Sequence, residues 1–327
     1  MANYFDEIFS IKNKEEFERL ALEAFHFQLK NNAVYKEFVS YLSLDPATVK
    51  HIAQIPFLPI QFFKSHHVYA SSKKEEIVFT SSGTTGMVTS KHAVAGISIY
   101  ERSFLKAFEL FYGNPADYCI LALLPSYLER EGSSLVYMAL HLIEKSKHNG
   151  SGFYLHNLNE LKTAVSALKQ RKQKTILLGV SYALMDLADS GCELNEDFIV
   201  METGGMKGKR KELLKEELHR YLAERFKISK IHSEYGMTEL LSQAYSLGNG
   251  IYQCPPWMQV STREVNDPFA KTKPGKSGGI NVIDLANLYS CPFIATQDLG
   301  RILPGGDFEI IGRFDNSDIR GCNLLVQ

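Results

Sequence analysis

The 327-residue chain is predicted to be an α/β protein in which mainly parallel sheets, flanked by helices, lead into a smaller β-rich part. Three observations carry this. From residue 97 to about residue 233, helical apolar periodicity alternates with short apolar runs, the pattern of strands joined by helical crossovers. Beyond Tyr245 the helical periodicity fades, and Gly, Pro and Asn separate short β-prone runs. No repeat, low-complexity tract or long charged linker interrupts the chain, so its parts should pack as one unit.

Taken in order, Lys14 to Lys30 places Phe17, Leu20, Ala21, Ala24 and Leu29 at helical spacing. Ile55 to Lys64 (IPFLPIQFFK) holds two prolines among bulky apolar residues and is read as an extended buried strap. Helix to Tyr112, strand over Tyr118 to Leu124 and helix from Ser133 to His148 make the first round. Helix over Glu160 to Lys172, strand over Thr175 to Val180, helix over Tyr182 to Ser190 and strand over Phe198 to Glu202 make the second. Helix over Lys209 to Phe226 and strand over Ile228 to Ser233 make the third. The later β runs are Gly279 to Leu285, Leu299 to Leu303 and Phe308 to Ile311. This divides the chain into an α/β core (1–245), a β-rich subdomain of the same unit (246–312) and a short tail (313–327).

Composition removes several classes of function. Basic and acidic residues number 36 and 37, so no net field draws the protein to nucleic acid or to an anionic membrane. Five cysteines without a CxxC pair argue against a zinc site and a disulfide framework and suit a reducing cytoplasm. Met1 to Lys14 carries Asp6, Glu7 and Lys12 and is no signal peptide, and no apolar run is long enough for membrane insertion. Neither an HExxH pattern nor a Gly-x-Ser-x-Gly elbow is present. A small-molecule substrate is expected.

The chemistry begins after the β-prone run Ile77 to Phe79, at Thr80, Ser81, Ser82, Gly83, Thr84, Thr85 and Gly86. Its two glycines let successive N–H groups turn inward, and its hydroxyls add donors for phosphate oxygens. A Ser/Thr/Gly surface turn is the alternative reading. The common P-loop is excluded, because the Gly-Lys-Ser/Thr ending is missing.

Four more stretches follow. Glu202-Thr203-Gly204-Gly205-Met206 stands where a strand gives way to a helix, and Tyr235-Gly236-Met237-Thr238-Glu239 closes another strand. An aromatic face suits a purine, a hydroxyl suits a phosphate and a hard carboxylate suits Mg²⁺, although Thr238-Glu239 alone could be a helix cap. Thr296-Gln297-Asp298-Leu299 and Gly312-Arg313-Phe314-Asp315 complete the series.

Together the five stretches resemble, in order, the signature elements of the adenylate-forming superfamily, which includes acyl-CoA ligases and peptide-synthetase adenylation domains. The resemblance implies ATP and Mg²⁺ as cofactors. It implies phosphate contacts from Thr80 to Gly86, adenine contacts at Gly204, Gly205, Met206, Tyr235 and Gly236, and an α-phosphate contact at Thr238. It further implies Mg²⁺ at Glu239, ribose at Asp298 and Arg313, and a hinge near Asp315. Two departures stand out: Met87-Val88 replaces the usual Pro-Lys after the loop, and Gln297 replaces a glycine.

Within that superfamily the chain resembles the LuxE-type acyl-protein synthetases. Ile55-Pro56-Phe57, Pro125-Ser126-Tyr127-Leu128, Ser133-Ser134-Leu135 and Arg320-Gly321-Cys322 join the motifs above in this likeness. The resemblance implies that a long-chain fatty acid substrate is activated as acyl-AMP. The acyl group then moves to a cysteine, here Cys322, and on to a partner acyl reductase. With the chain ending at Gln327, the expected fold is the superfamily's N-terminal domain without its C-terminal ligase domain. Two alternatives remain: an acyl- or aryl-CoA ligase of the phenylacetate type, which needs coenzyme A and no cysteine, and a noncatalytic nucleotide-binding partner.

Overall fold

The computed structural model describes residues 3–82, 88–125, 132–204, 210, 213–267, 269–273 and 275–314. The chain opens with helices α1 (Tyr4–Ile8), α2 (Lys14–Asn31) and α3 (Ala33–Ser40). Asn13 caps α2 by accepting from Glu16 N at 2.9 Å. Asn32 ends α2 and caps α3, while its amide donates to Ser290 O at 2.9 Å; Gln28 donates to Leu288 O at 2.6 Å. These buried amides fasten the helix pair to a turn more than 250 residues away in sequence.

The Ile55 to Lys64 strap is extended only in part. Leu58–Pro59 forms strand β1, but Phe62–Ser65 winds into helix α4. Proline restrains itself and the residue before it, so nothing after Pro59 opposes a helical turn, which corrects the expectation of an extended segment throughout. A hairpin follows, β2 (Ile77–Thr80) antiparallel to β3 (Lys91–Val94).

The alternating region is α5 (Ile97–Tyr112), β4 (Cys119–Leu123), α6 (Ser134–Ser146), β5 (Gly152–Phe153), α7 (Leu158–Gln170), β6 (Thr175–Val180), α8 (Ser181–Asp189), β7 (Phe198–Thr203), α9 (Lys215–Phe226) and β8 (His232–Tyr235). Sequence patterning placed most of these elements to within a few residues, but it gave no strand at β5, and α9, expected from Lys209, opens at Lys215. Ile228 does not start a strand: its N–H bonds back to Ala223 O at 3.1 Å, because Lys227 takes a left-handed conformation (φ 61°) that closes α9. The remaining strands are β9 (Ala244–Ser246), β10 (Ile251–Gln253), β11 (Met258–Arg263), β12 (Ser277–Asp284), β13 (Phe293–Ile302) and β14 (Phe308–Arg313).

One sheet runs in the order β11-β12-β13-β14-β10-β9-β8-β7-β6-β4-β5, with β1 added beside β13. Strands β5, β4, β6, β7 and β8 are mutually parallel, and from β8 onward the path is antiparallel. Strand β6 is buried at every position, as expected for a strand covered on both faces. The expected α/β class, parallel sheet with flanking helices plus a β-rich part, is borne out. Strand β8 therefore joins the two regimes, and the turn at its C-terminal end opens where open α/β sheets place ligands.

Candidate functional site

The β2–β3 hairpin presents the Ser/Thr/Gly loop. Thr80 pairs with Lys91, Ser81 N donates to Ser90 O at 3.1 Å, and Ser90 N donates to Ser81 Oγ at 2.9 Å. Thr80 N also donates to Gly132 O at 2.8 Å, which ties the hairpin base to the β4–α6 connection. Gly132 has φ +80°, a conformation that suits glycine, and a Cβ there would lie 3.1 Å from Thr80 Oγ1. Ser82 is exposed. Gly83, Thr84, Thr85 and Gly86 lie outside the described residues.

The segment Tyr235 to Ser242 is clamped from two sides. His92 of β3 is fully buried, with Nδ1 2.7 Å from Thr238 O and Nε2 2.8 Å from Asn287 Oδ1. Burial pushes His92 down to about 4, so at neutral pH a neutral imidazole donates through one ring nitrogen only. The Asn287 amide donates to Glu239 O at 2.8 Å and to Cys291 O at 3.0 Å. On the other side, Asp284 accepts from Leu241 N at 2.7 Å, Ser242 N at 2.9 Å and Ser242 Oγ at 2.6 Å. Gly236 allows the close approach of the Glu234 side chain, since a Cβ would fall 2.4 Å from Glu234 Oε1.

Glu239 is buried at 5% exposure. Burial pushes its carboxyl up, opposed by the Ser90 hydroxyl, its own backbone and the positive charges of Arg313 and Lys64. The acidic turn thus meets the loop-bearing hairpin through His92, while Arg313 at the end of β14 acts on Glu239 through its charge. Thr238 is half-buried on the same turn.

Asp298 and Arg313 face each other across the β13–β14 ladder. Arg313 Nε lies 3.3 Å from Asp298 Oδ1, and Tyr235 donates its hydroxyl to Asp298 Oδ2 at 2.8 Å. The Arg313 side chain is 73% exposed against 13% for Asp298, so the carboxylate is fixed and the guanidinium is accessible. The Tyr235 ring meets Tyr252 and Phe308 at steep angles, with centroids 5.9 and 5.6 Å away. Burial raises the Asp298 carboxyl, and Arg313, Tyr235, Arg263 and Lys215 pull it back.

At the end of β7, Glu202 is 2% exposed and accepts from Ser181 Oγ at 2.8 Å and from Lys215 Nζ at 2.9 Å. Burial would raise it, but the Lys215 charge, with hydrogen bonds from His219, Lys215 and Ser181, holds it at about 2. The Ser181 hydroxyl also lies 2.7 Å from Gly204 O, linking this network to the strand-to-helix turn, where Gly204 has φ +68°. Gly205, Met206 and Cys322 lie outside the described residues. His232 packs locally, its Nδ1 3.2 Å from the Tyr112 hydroxyl.

Glu234 behaves oppositely to Glu202. It points to the other face of the sheet, where Thr203 donates to it at 2.5 Å, and burial pushes it to about 7. A carboxyl raised from 4.5 favours folding below about pH 4.5 and loses that contribution as pH rises through 7. Glu202, held low, contributes above about pH 4.5 and loses its contribution as pH falls toward 2. The Glu234 displacement corresponds to about 3 kcal/mol. Glu234→Gln is therefore expected to be more stable than the parent at pH 8 by up to about that amount, and little changed at pH 4.5. Thermal melts across this range check it; equal pH profiles would count against the burial argument.

The fold brings close together Tyr235, Gly236, Thr238, Glu239, Asp298 and Arg313, all singled out in the sequence. The residues that support this arrangement, His92, Asn287, Asp284 and Lys215, have partners distant in the chain and carry no local signature.

The fold is shared with solved CoA ligases. Similar folds include a 2-hydroxyisobutyryl-CoA ligase in an open conformation with 2-HIB-AMP and CoA, at 12% identity and TM-score 0.66, covering 93% of this chain and 76% of that one. ATP-bound MatB from Rhodopseudomonas palustris is similar at 17% identity and TM-score 0.54, covering 74% and 49%. O-succinylbenzoate coenzyme A synthetase (MenE) from Bacillus subtilis with AMP is similar at 17% identity and TM-score 0.51, covering 76% and 51%. The chain spans about half the length of the latter two. More narrowly, residues 7–120 match the family of the acyl-protein synthetase, LuxE, which bears out the resemblance read from the sequence. No curated protein matches by sequence.

Proposed function

We propose that this chain activates a long-chain fatty acid with ATP as acyl-AMP, passes the acyl group to the Cys322 thiol and delivers it to a partner acyl reductase. The observation that supports the reading most is convergence: Arg313 pairs with Asp298 and its charge acts on Glu239, while the turn that carries Glu239 is held by His92 of the phosphate-loop hairpin. Ribose hydroxyls would donate to Asp298, with Arg313 alongside, while Tyr235 and the Gly204 to Met206 turn flank the adenine. Loop donors from Thr80 to Gly86 and the Thr238 hydroxyl would hold the phosphates.

Among the described residues no group of three or more metal-ligating side chains gathers. A single buried carboxylate fits Mg²⁺, which commonly takes one or two carboxylates and completes its shell with substrate phosphates and water. When bound, the ion would neutralise phosphate charge at Glu239.

In the first step a carboxylate oxygen of the acid attacks the α-phosphorus, the bond to pyrophosphate breaks, and acyl-AMP forms. In the second the Cys322 thiolate attacks the acyl carbonyl and AMP leaves, giving a thioester. Among the described residues no helix is long and apolar enough to cross a membrane. Incubating the full chain with Mg-ATP and labelled fatty acids of several lengths, followed by a denaturing gel, tests the reading. The expected result is protein-bound label that hydroxylamine removes. Label found only on added coenzyme A would instead favour the CoA-ligase alternative, and ATP binding without any acyl product would favour a noncatalytic partner.

A further inference from the structure

The place of Asp298 depends on a break in the sheet. Between the pairs Gly279–Leu299 and Asn281–Ala295, the single β12 residue Ile280 faces three residues of β13: Thr296, Gln297 and Asp298. Such a bulge takes carbonyls out of the ladder, and an unpaired buried carbonyl is costly.

Arg263, on the far side of β12, supplies the missing donors. Its guanidinium donates to Ile280 O at 2.6 Å, Asn281 Oδ1 at 2.8 Å and Thr296 O at 2.5 Å. It reaches them by crossing Gly279, its direct partner in the β11–β12 ladder, where a Cβ would lie 2.6 Å from the guanidinium carbon. Thr296 Oγ1 donates to Ile280 O at 3.0 Å and accepts from Asp298 N at 3.1 Å, which carries the fixed geometry to Asp298. A third bulge carbonyl, Gln297 O, accepts from Phe314 N at 2.7 Å, and the Phe314 ring lies 5.6 Å from the Arg263 guanidinium carbon.

We propose that Arg263 is a positioning residue: it holds the bulge that aims Asp298 at the nucleotide ribose, and through Phe314 it fastens the segment that carries Arg313. This rests on Asp298 being the ribose carboxylate, as proposed above. A planar fork suits three acceptors in a way that a lysine ammonium on a flexible stem does not.

Calorimetric binding of ATP and of 2′,3′-dideoxy-ATP to the full chain and its variants tests the role of Arg263 separately from the ribose role of Asp298. The parent is expected to prefer ATP. Arg263→Met should weaken ATP binding about 10- to 100-fold, leave dideoxy-ATP nearly unchanged and so collapse the preference. Arg263→Lys and Asn281→Ala, which keep more of the local packing, should reduce the preference part way, so the result does not depend on one variant folding. A parent that binds both nucleotides equally would refute the ribose role of Asp298. A parent that discriminates, with variants that keep the preference or lose affinity for both nucleotides alike, would refute the role of Arg263.

Discussion

Glu239→Gln is expected to lower acid-dependent exchange of pyrophosphate into ATP by about 100-fold or more, equivalent to about 3 kcal/mol of transition-state stabilisation. Glutamine keeps the shape of the side chain but removes the negative oxygen that suits Mg²⁺. The same change should not destabilise the fold at pH 8. Burial already disfavours the ionised carboxylate there, so an amide is tolerated at least as well. Loss of exchange with an unchanged or higher melting temperature separates a chemical role from a structural one. A variant that melts earlier and exchanges normally would place Glu239 in the scaffold alone.

Cys322→Ser is expected to abolish hydroxylamine-sensitive acyl labelling of the protein. The described cysteines are poor substitutes: Cys119, Cys192 and Cys291 are buried, Cys254 is half-buried, and burial pushes all four thiols up, Cys291 to about 12. A thiol raised that far is almost wholly protonated at neutral pH, and the thiolate is the nucleophile. Cys322 follows Arg320 in the sequence, and a neighbouring cation favours the thiolate. Serine in its place offers a hydroxyl with no comparable ionisation, so label should vanish, whereas Cys291→Ser should retain it. Undiminished label on Cys322→Ser would remove this cysteine from the pathway and direct the search to another acceptor.

Much of the architecture was legible because it is written in local periodicity. The stretch Ile97 to Tyr112 shows its helix in apolar spacing, and Thr175 to Val180 shows its buried strand in an unbroken apolar run. Short strands such as β9 and β10, at three residues each, have too few positions for a pattern and are made by their neighbours in the sheet. Helix α4 was hidden by the prolines that precede it.

The site divides in the same way. Residues that meet the nucleotide in the proposed reading sit in contiguous motifs, since a turn must present them together, and so Tyr235 to Glu239 could be read directly. The supporting residues obey no such constraint. His92 lies 146 residues from Thr238, Asn287 lies 195 from His92, and Arg263 acts across an intervening strand on a bulge that no composition announces. Gly279 was visible as a glycine, but its purpose, letting a guanidinium pass, exists only in the fold.

The central claim is adenylation of a carboxylic acid, and acid-dependent exchange of labelled pyrophosphate into ATP by the full chain tests it most directly. The account predicts that label enters ATP only when Mg²⁺ and an accepted acid are both present, with long-chain fatty acids the best substrates. Clear ATP binding with no increase in exchange for fatty, aryl or short-chain acids would contradict it.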